Sequence, residues 1–288
     1  MSRNAIIVGA GRSGTSMLAG LLHGSGYFSG DHLLPGTPSN PLGYFEDSEI
    51  QAINQDLLRK VTPWRPRGVI GAVLPVLRNR PKWGQLHLSD LPEGTTIRSD
   101  PRLDSRMAAL TSRRPYLFKD TAFSYTLTAW LPHLADDTIF LCIFREPQRT
   151  VNSLLRFSSS ELINLGFWMT PERALQYWEA TYRSIINQQS MAKDKWTFIH
   201  YDEILSRRAV PLLEDRLGAR ADVRMIRSEL KRSSLDAPSR PSADKLYHTL
   251  LELAEDKYLP SAVADARSQT VPARYSMPAP ADSRRGGS

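Results

Sequence analysis

The chain holds one cysteine, Cys142, among 288 residues. An internal disulfide and a zinc site built from cysteines are both excluded, a usage that suits a reducing compartment. The apolar neighbours of Cys142 read as core. Long hydrophobic runs are missing too. No stretch approaches the roughly 20 apolar residues of a membrane span, and the start of the chain runs into a short strand with no signal-peptide pattern, so a cytoplasmic protein is expected. Internal repeats are absent. Lys and Arg outnumber Asp and Glu by 37 to 30, for a formal charge of +7, yet no dense basic tract interleaved with aromatics occurs. That argues against a nucleic-acid partner and favours a small polyanion as the ligand such a surplus attracts.

With 41% hydrophobic residues the chain can bury a substantial core. Ala5-Ile-Ile-Val8 is a short apolar run that breaks into glycines, and Met17, Leu18, Leu21 and Leu22 then recur at helical spacing. Similar runs at Tyr116–Phe118, Thr138–Phe144 and Trp196–Ile199 are continuously apolar, as in strands covered on both faces of a parallel sheet. Helical patterns lie between them. The clearest has Thr170 as N-cap, Pro171 at the first position and an apolar stripe through Leu175, Trp178, Tyr182, Ile185 and Ile186. Another helix ends at Leu217-Gly218, and a later one carries Leu246, Tyr247, Leu250 and Leu251. Strands alternating with helices predict a doubly wound α/β fold, in one domain over residues 1–267. Pro63 to Pro92, rich in Pro, Arg and Trp, breaks the rhythm as an insertion or a substrate-covering region, and the tail from Ser268 reads as disordered.

The loop Gly9-Ala-Gly-Arg-Ser-Gly-Thr-Ser16 follows the first run and precedes the first helical pattern. Gly9, Gly11 and Gly14 satisfy the dinucleotide pattern G-x-G-x-x-G, but the nearest acid for a ribose, Asp31, sits in a Gly-rich stretch and not at a strand end. Gly9 and Gly14 also fit the P-loop frame, yet Thr15 stands where a nucleotidase needs lysine. Positive charge sits inside the loop instead, at Arg12, flanked by the hydroxyls of Ser13, Thr15 and Ser16.

Arg12-Ser-Gly-Thr-Ser16 after a strand resembles the 5′-phosphosulfate-binding loop of sulfotransferases that use 3′-phosphoadenosine-5′-phosphosulfate (PAPS). That family carries a second motif after a later strand: an arginine, a proline two residues on and a serine eight residues on, which together hold the 3′-phosphate. Arg145, Pro147 and Ser153 match all three positions. Phe118-Lys119-Asp120, His200-Tyr-Asp-Glu-Ile-Leu205 and Asn40-Pro-Leu-Gly-Tyr-Phe-Glu46-Asp47 resemble further stretches of bacterial members. The likeness runs from about Asn4 to Gly218.

The resemblance implies a P-loop-like sheet and transfer of a sulfuryl group from PAPS to a hydroxyl of a carbohydrate, glycolipid or small natural product, with no metal. Gly11, Arg12, Ser13, Gly14, Thr15, Ser16, Arg145 and Ser153 would bind the nucleotide, and Arg12 would meet the leaving oxygen. Lys119 would contact sulfuryl or phosphate oxygens or pair with Asp120. For the general base Glu46, beside two aromatics, is the first choice. Asp120 is the second, and His32 and His133 stay open; Asp47 suits a helix cap. Leu230-Lys-Arg-Ser233 would reach the 3′-phosphate or form a solvated basic run, and Trp64 to Trp83 would wall the acceptor. Taken alone, the glycines also admit an NAD(P)-dependent oxidoreductase or a non-catalytic nucleotide-binding module.

Overall fold

A computed structural model describes residues 2–37, 40–61, 91, 95, 97–161, 169–226 and 235–255. The Pro63 to Pro92 region apart from Leu91, the segment Leu230 to Ser233 and the tail from Ser268 lie outside the described residues.

Four buried strands, Ala5–Val8 (β1), Leu117–Lys119 (β2), Ile139–Phe144 (β3) and Trp196–His200 (β4), form one parallel sheet in the order β2-β1-β3-β4. Ile7 pairs with Lys119 on one side and with Leu141 on the other, which places β1 inside the sheet. Side chains alternate between the two faces, as the two-residue period of a strand requires. Ile6, Val8, Phe118, Phe140, Cys142, Phe144, Trp196 and Phe198 feed one core; Ala5, Ile7, Leu117, Leu141, Ile143 and Ile199 feed the other. Both faces are covered, so the sheet is doubly wound, as the continuously apolar runs predicted.

The second core is roofed by Thr15–His23 (α1) together with residues of two helices further along the chain. Over the first core lie Ser48–Arg59 (α2), Pro101–Thr111 (α3), Phe123–Trp130 (α4), Pro147–Glu161 (α5) and Pro171–Gln189 (α6). Tyr201–Leu205 (α7) and Val210–Leu217 (α8) pack beside α1, and Pro241–Glu255 (α9) completes the first face. Local chemistry sets their ends. The Asp47 carboxylate accepts from the N–H groups of Glu49 at 2.9 Å and Ile50 at 3.2 Å, Thr170 caps α6 by accepting from Arg173, and Gly218 ends α8 at φ 63°.

Sequence and structure part at α4. Phe-Ser-Tyr-Thr-Leu-Thr-Ala-Trp is rich in aromatic and β-branched residues and carries no helical stripe, yet it folds as a helix buried at every position but Thr128. Asp120 starts it, accepting the Ala122 N–H on its side chain and the Phe123 N–H on its backbone oxygen. Burial on all sides removes the amphipathic signal that periodicity detects.

Because all four strands are parallel, their carboxyl ends lie along one edge of the sheet. Gly9 follows β1, Asp120 follows β2, Arg145 follows β3 and Tyr201 follows β4. Ligands of open α/β sheets bind along this edge.

Candidate active site

The glycine loop takes a path few residues tolerate. Gly9 has φ 145°, and a Cβ there would meet the Ile143 carbonyl oxygen at 2.4 Å; Gly14 has φ 99°, and a Cβ there would meet the Tyr201 ring at 2.5 Å. Between them Arg12, with a side chain, sits at φ 70°, a left-handed conformation that costs of order 1–3 kcal/mol and concentrates at functional sites. The N–H groups of Gly9, Ala10 and Gly11 donate to Ser124 Oγ at 3.2 Å, Tyr182 Oη at 3.3 Å and Tyr177 Oη at 2.9 Å. Gly14 caps α1 without a side chain, so the first amides of that helix are left for an anion at its positive end.

The hydroxyls that flank the loop divide. Ser13 is fully buried, with its oxygen 3.4 Å from that of Thr150 on α5. Thr15 is buried at the first turn of α1. Ser16 is a junction: its oxygen accepts from Lys119 Nζ at 3.3 Å and Asn40 Nδ2 at 3.2 Å and donates to the Tyr44 carbonyl at 3.4 Å.

The two motifs singled out in the sequence meet in space. Arg12 Nε donates to Ser153 Oγ at 3.2 Å, and its guanidinium lies 5.4 Å from the Phe157 ring, both on α5. Arg145, 4% exposed, has its guanidinium 4.4 Å from the centre of the Tyr201 ring. Its Nε and Nη2 atoms are buried with no hydrogen-bond partner among the described residues. Burial pushes the pKa of this side chain down, yet an arginine keeps its charge. Tyr201 therefore packs against the glycine loop at Gly14 and against Arg145 at once. The sequence flagged the segment that holds Tyr201 without showing this role.

A third group of residues lies at the end of β2. Lys119 Nζ is ion-paired with Glu46 and also donates to Ser16 Oγ and the Tyr44 carbonyl, so its three donors all find protein acceptors. The second oxygen of Glu46 accepts from Gln51 Nε2 at 2.5 Å. Phe45 before it is held at φ 54°, a genuine outlier for an aromatic residue, with its ring 5.3 Å from that of His23. Asp120, 1% exposed, accepts from Asn54 Nδ2 and the Ala122 N–H, both at 3.0 Å. Burial, then the charge of Glu46, raise its pKa to about 6. Gln51 and Asn54, one turn apart on α2, thus hold the two acids; of this helix only the Asp47 cap was foreseen.

Other expected participants lie elsewhere. Asp31 spends its carboxylate on an exposed ion pair with Arg113. His133 contacts Asp104 at 3.1 Å, and the exposed His32 uses its backbone N–H to bond Asp47. Cys142 is buried in the core of β3. Among the described residues no helix is long and apolar enough to cross a membrane, and no group of three or more His, Cys, Asp or Glu residues is placed to hold a metal ion.

No family model and no curated protein matches the chain. Solved structures similar to it include the sulfotransferase domain from the curacin biosynthetic pathway, 16% identical, with 87% of this chain and 98% of that one covered and a TM-score of 0.48. The sulfotransferase domain from the Synechococcus PCC 7002 olefin synthase is 17% identical over 93% of this chain and 95% of that one, with a TM-score of 0.44. A sulfotransferase from Alicyclobacillus acidocaldarius is 14% identical over 92% and 96%, with a TM-score of 0.45.

Proposed function

We propose that the protein transfers a sulfuryl group from PAPS to a hydroxyl of a carbohydrate, glycolipid or small natural product. The observation that carries this reading is the convergence of two anion-seeking features on one sheet edge. One is an uncapped helix start with Arg12 in its loop. The other is Arg145, whose buried nitrogens lack a partner among the described residues. A nucleotide phosphorylated at both ends satisfies both, and Ser153 and Tyr201 tie the two together.

PAPS supplies an activated sulfuryl group whose departure leaves negative charge on a phosphate oxygen. The amides at the start of α1 and the Arg12 guanidinium are fixed donors for that charge, and fixed donors need no reorganisation as charge grows. Arg145 holds the 3′-phosphate through charge-assisted hydrogen bonds. Glu46 acts as the base: each of its oxygens gives one lone pair to Lys119 or Gln51 and keeps another for the acceptor hydroxyl. Lys119 holds Glu46 in place, and Asp120, too deeply buried to meet an acceptor, positions the turn after β2.

The test is thermal denaturation with 3′-phosphoadenosine-5′-phosphate and, in parallel, with NAD. At a hundredfold excess over Kd the first should add about 2.7 kcal/mol of stability, and NAD should add none. Stabilisation by NAD alone would overturn the assignment. Binding without hydrolysis of PAPS or transfer from it would reduce the protein to a nucleotide-binding module.

A further inference from the structure

Apart from the Ser13 amide, which turns back to the Ala10 carbonyl, two sets of amides stand out in the glycine loop. Those of Gly9, Ala10 and Gly11 point inward to hydroxyls of α4 and α6, and those beyond Gly14 open the helix. The inward contacts come from side chains that would serve equally well as plain core without their oxygens. Tyr182 is fully buried, and besides accepting from Ala10 it donates to the Ile143 carbonyl at 3.0 Å. That carbonyl is the atom a side chain at Gly9 would strike. Tyr177, 3% exposed, places its oxygen 2.9 Å from the Gly11 nitrogen. A phenylalanine would fill the same volume at either position, so only the hydroxyl is specific to the loop. Without these acceptors the amides of the fully buried Ala10 and the half-buried Gly11 would lose their partners, which a buried backbone seldom tolerates.

We infer that Tyr177 and Tyr182 are positioning residues of the anion-binding loop. By accepting from Gly11 and Ala10 they hold the backbone on the strained path that presents Arg12 to Ser16 to the 5′ end of the nucleotide, without touching that nucleotide themselves. This rests on the PAPS reading above.

Calorimetric titration of the full chain tests it with two probes: 3′-phosphoadenosine-5′-phosphate, and adenosine 3′-phosphate, which has no 5′ group for the loop to hold. Tyr177→Phe and Tyr182→Phe should each weaken the first by about 3- to 10-fold, the worth of one net hydrogen bond, and leave the second within about twofold. Tyr125→Phe removes a buried hydroxyl that bonds Thr181 at 3.0 Å and not the loop, so it should change neither. Amide hydrogen exchange at Ala10 and Gly11 in the nucleotide-free protein should accelerate in the two loop variants and not in Tyr125→Phe. Wild-type affinity for the first nucleotide in both loop variants overturns the inference. So does an equal loss for both nucleotides, the mark of general damage. Wild-type protein that binds neither nucleotide overturns the PAPS reading and this inference with it.

Discussion

Arg145 and Asp120 are ionisable side chains held out of water at the ends of the two strands that flank β1, and each makes a prediction of its own. The Arg145 guanidinium has two buried nitrogens without a hydrogen-bond partner among the described residues, relieved in part by the Tyr201 face. An unpaired buried charge destabilises a fold. Arg145→Met should therefore leave the nucleotide-free protein as stable as wild type or more so, while weakening binding of 3′-phosphoadenosine-5′-phosphate at least about tenfold. Calorimetry and a melting curve on the same sample check both halves. Asp120 has a folded pKa of about 6 against an ordinary 3.8. The protonated carboxyl is the form the fold prefers, so its contribution is fully present below pH 3.8 and is lost as pH rises through 6. Asp120→Asn, which cannot ionise, should gain on wild type by about 2 kcal/mol between pH 4 and pH 7. A stability difference that stays flat over that range would refute the assignment. Arg12→Ala should leave the melting temperature nearly unchanged and lower turnover by about two to three orders of magnitude, as removal of a transition-state donor does.

At the scale of elements, the wedge of Tyr201 against the start of α1 makes Gly14 irreplaceable. Gly14→Ala suffers both the left-handed backbone and the ring contact at 2.5 Å, whereas Gly26→Ala, at φ 83° with nothing within 4 Å, suffers only the first. The expected costs are about 2–4 and about 1 kcal/mol, measured by urea denaturation. Equal costs would remove Tyr201 from that role. The strands were legible because each is short, largely apolar and bounded by polar residues: β1 matches its predicted span, β3 and β4 differ by one residue at one end, and β2 is shifted by one residue. The loop, Arg145 and Ser153 were legible because motifs local in sequence mark strand-to-helix junctions. Asn54, Tyr177 and Tyr182 act on residues far away along the chain, and Gln51 acts on Glu46 five residues before it. Their side chains read equally well as filler on an apolar stripe, and only tertiary contact shows which oxygen or amide is used. Helix α4 escaped notice for the related reason that a fully buried helix has no polar face.

At the scale of the whole molecule, the parallel sheet gathers groups from four strand ends onto one edge, and the chain adds a net charge of +7. The long-range part of nucleotide attraction should fade with salt. Raising ionic strength from about 0.05 to 0.5 M should slow association of 3′-phosphoadenosine-5′-phosphate much more than it speeds dissociation, since pairs buried at the site are poorly screened. Stopped-flow rates at the two salt concentrations separate these effects.

The buried Arg145 guanidinium beneath this edge also fixes when water is removed. Arg145 is stripped of its hydration as the chain folds around β3 and Tyr201, before any anion arrives. If Arg145 holds the 3′-phosphate as proposed, that phosphate would have only its own water to lose and would meet a cation already desolvated. On that reading, part of the strength of recognition would be stored in the folding step.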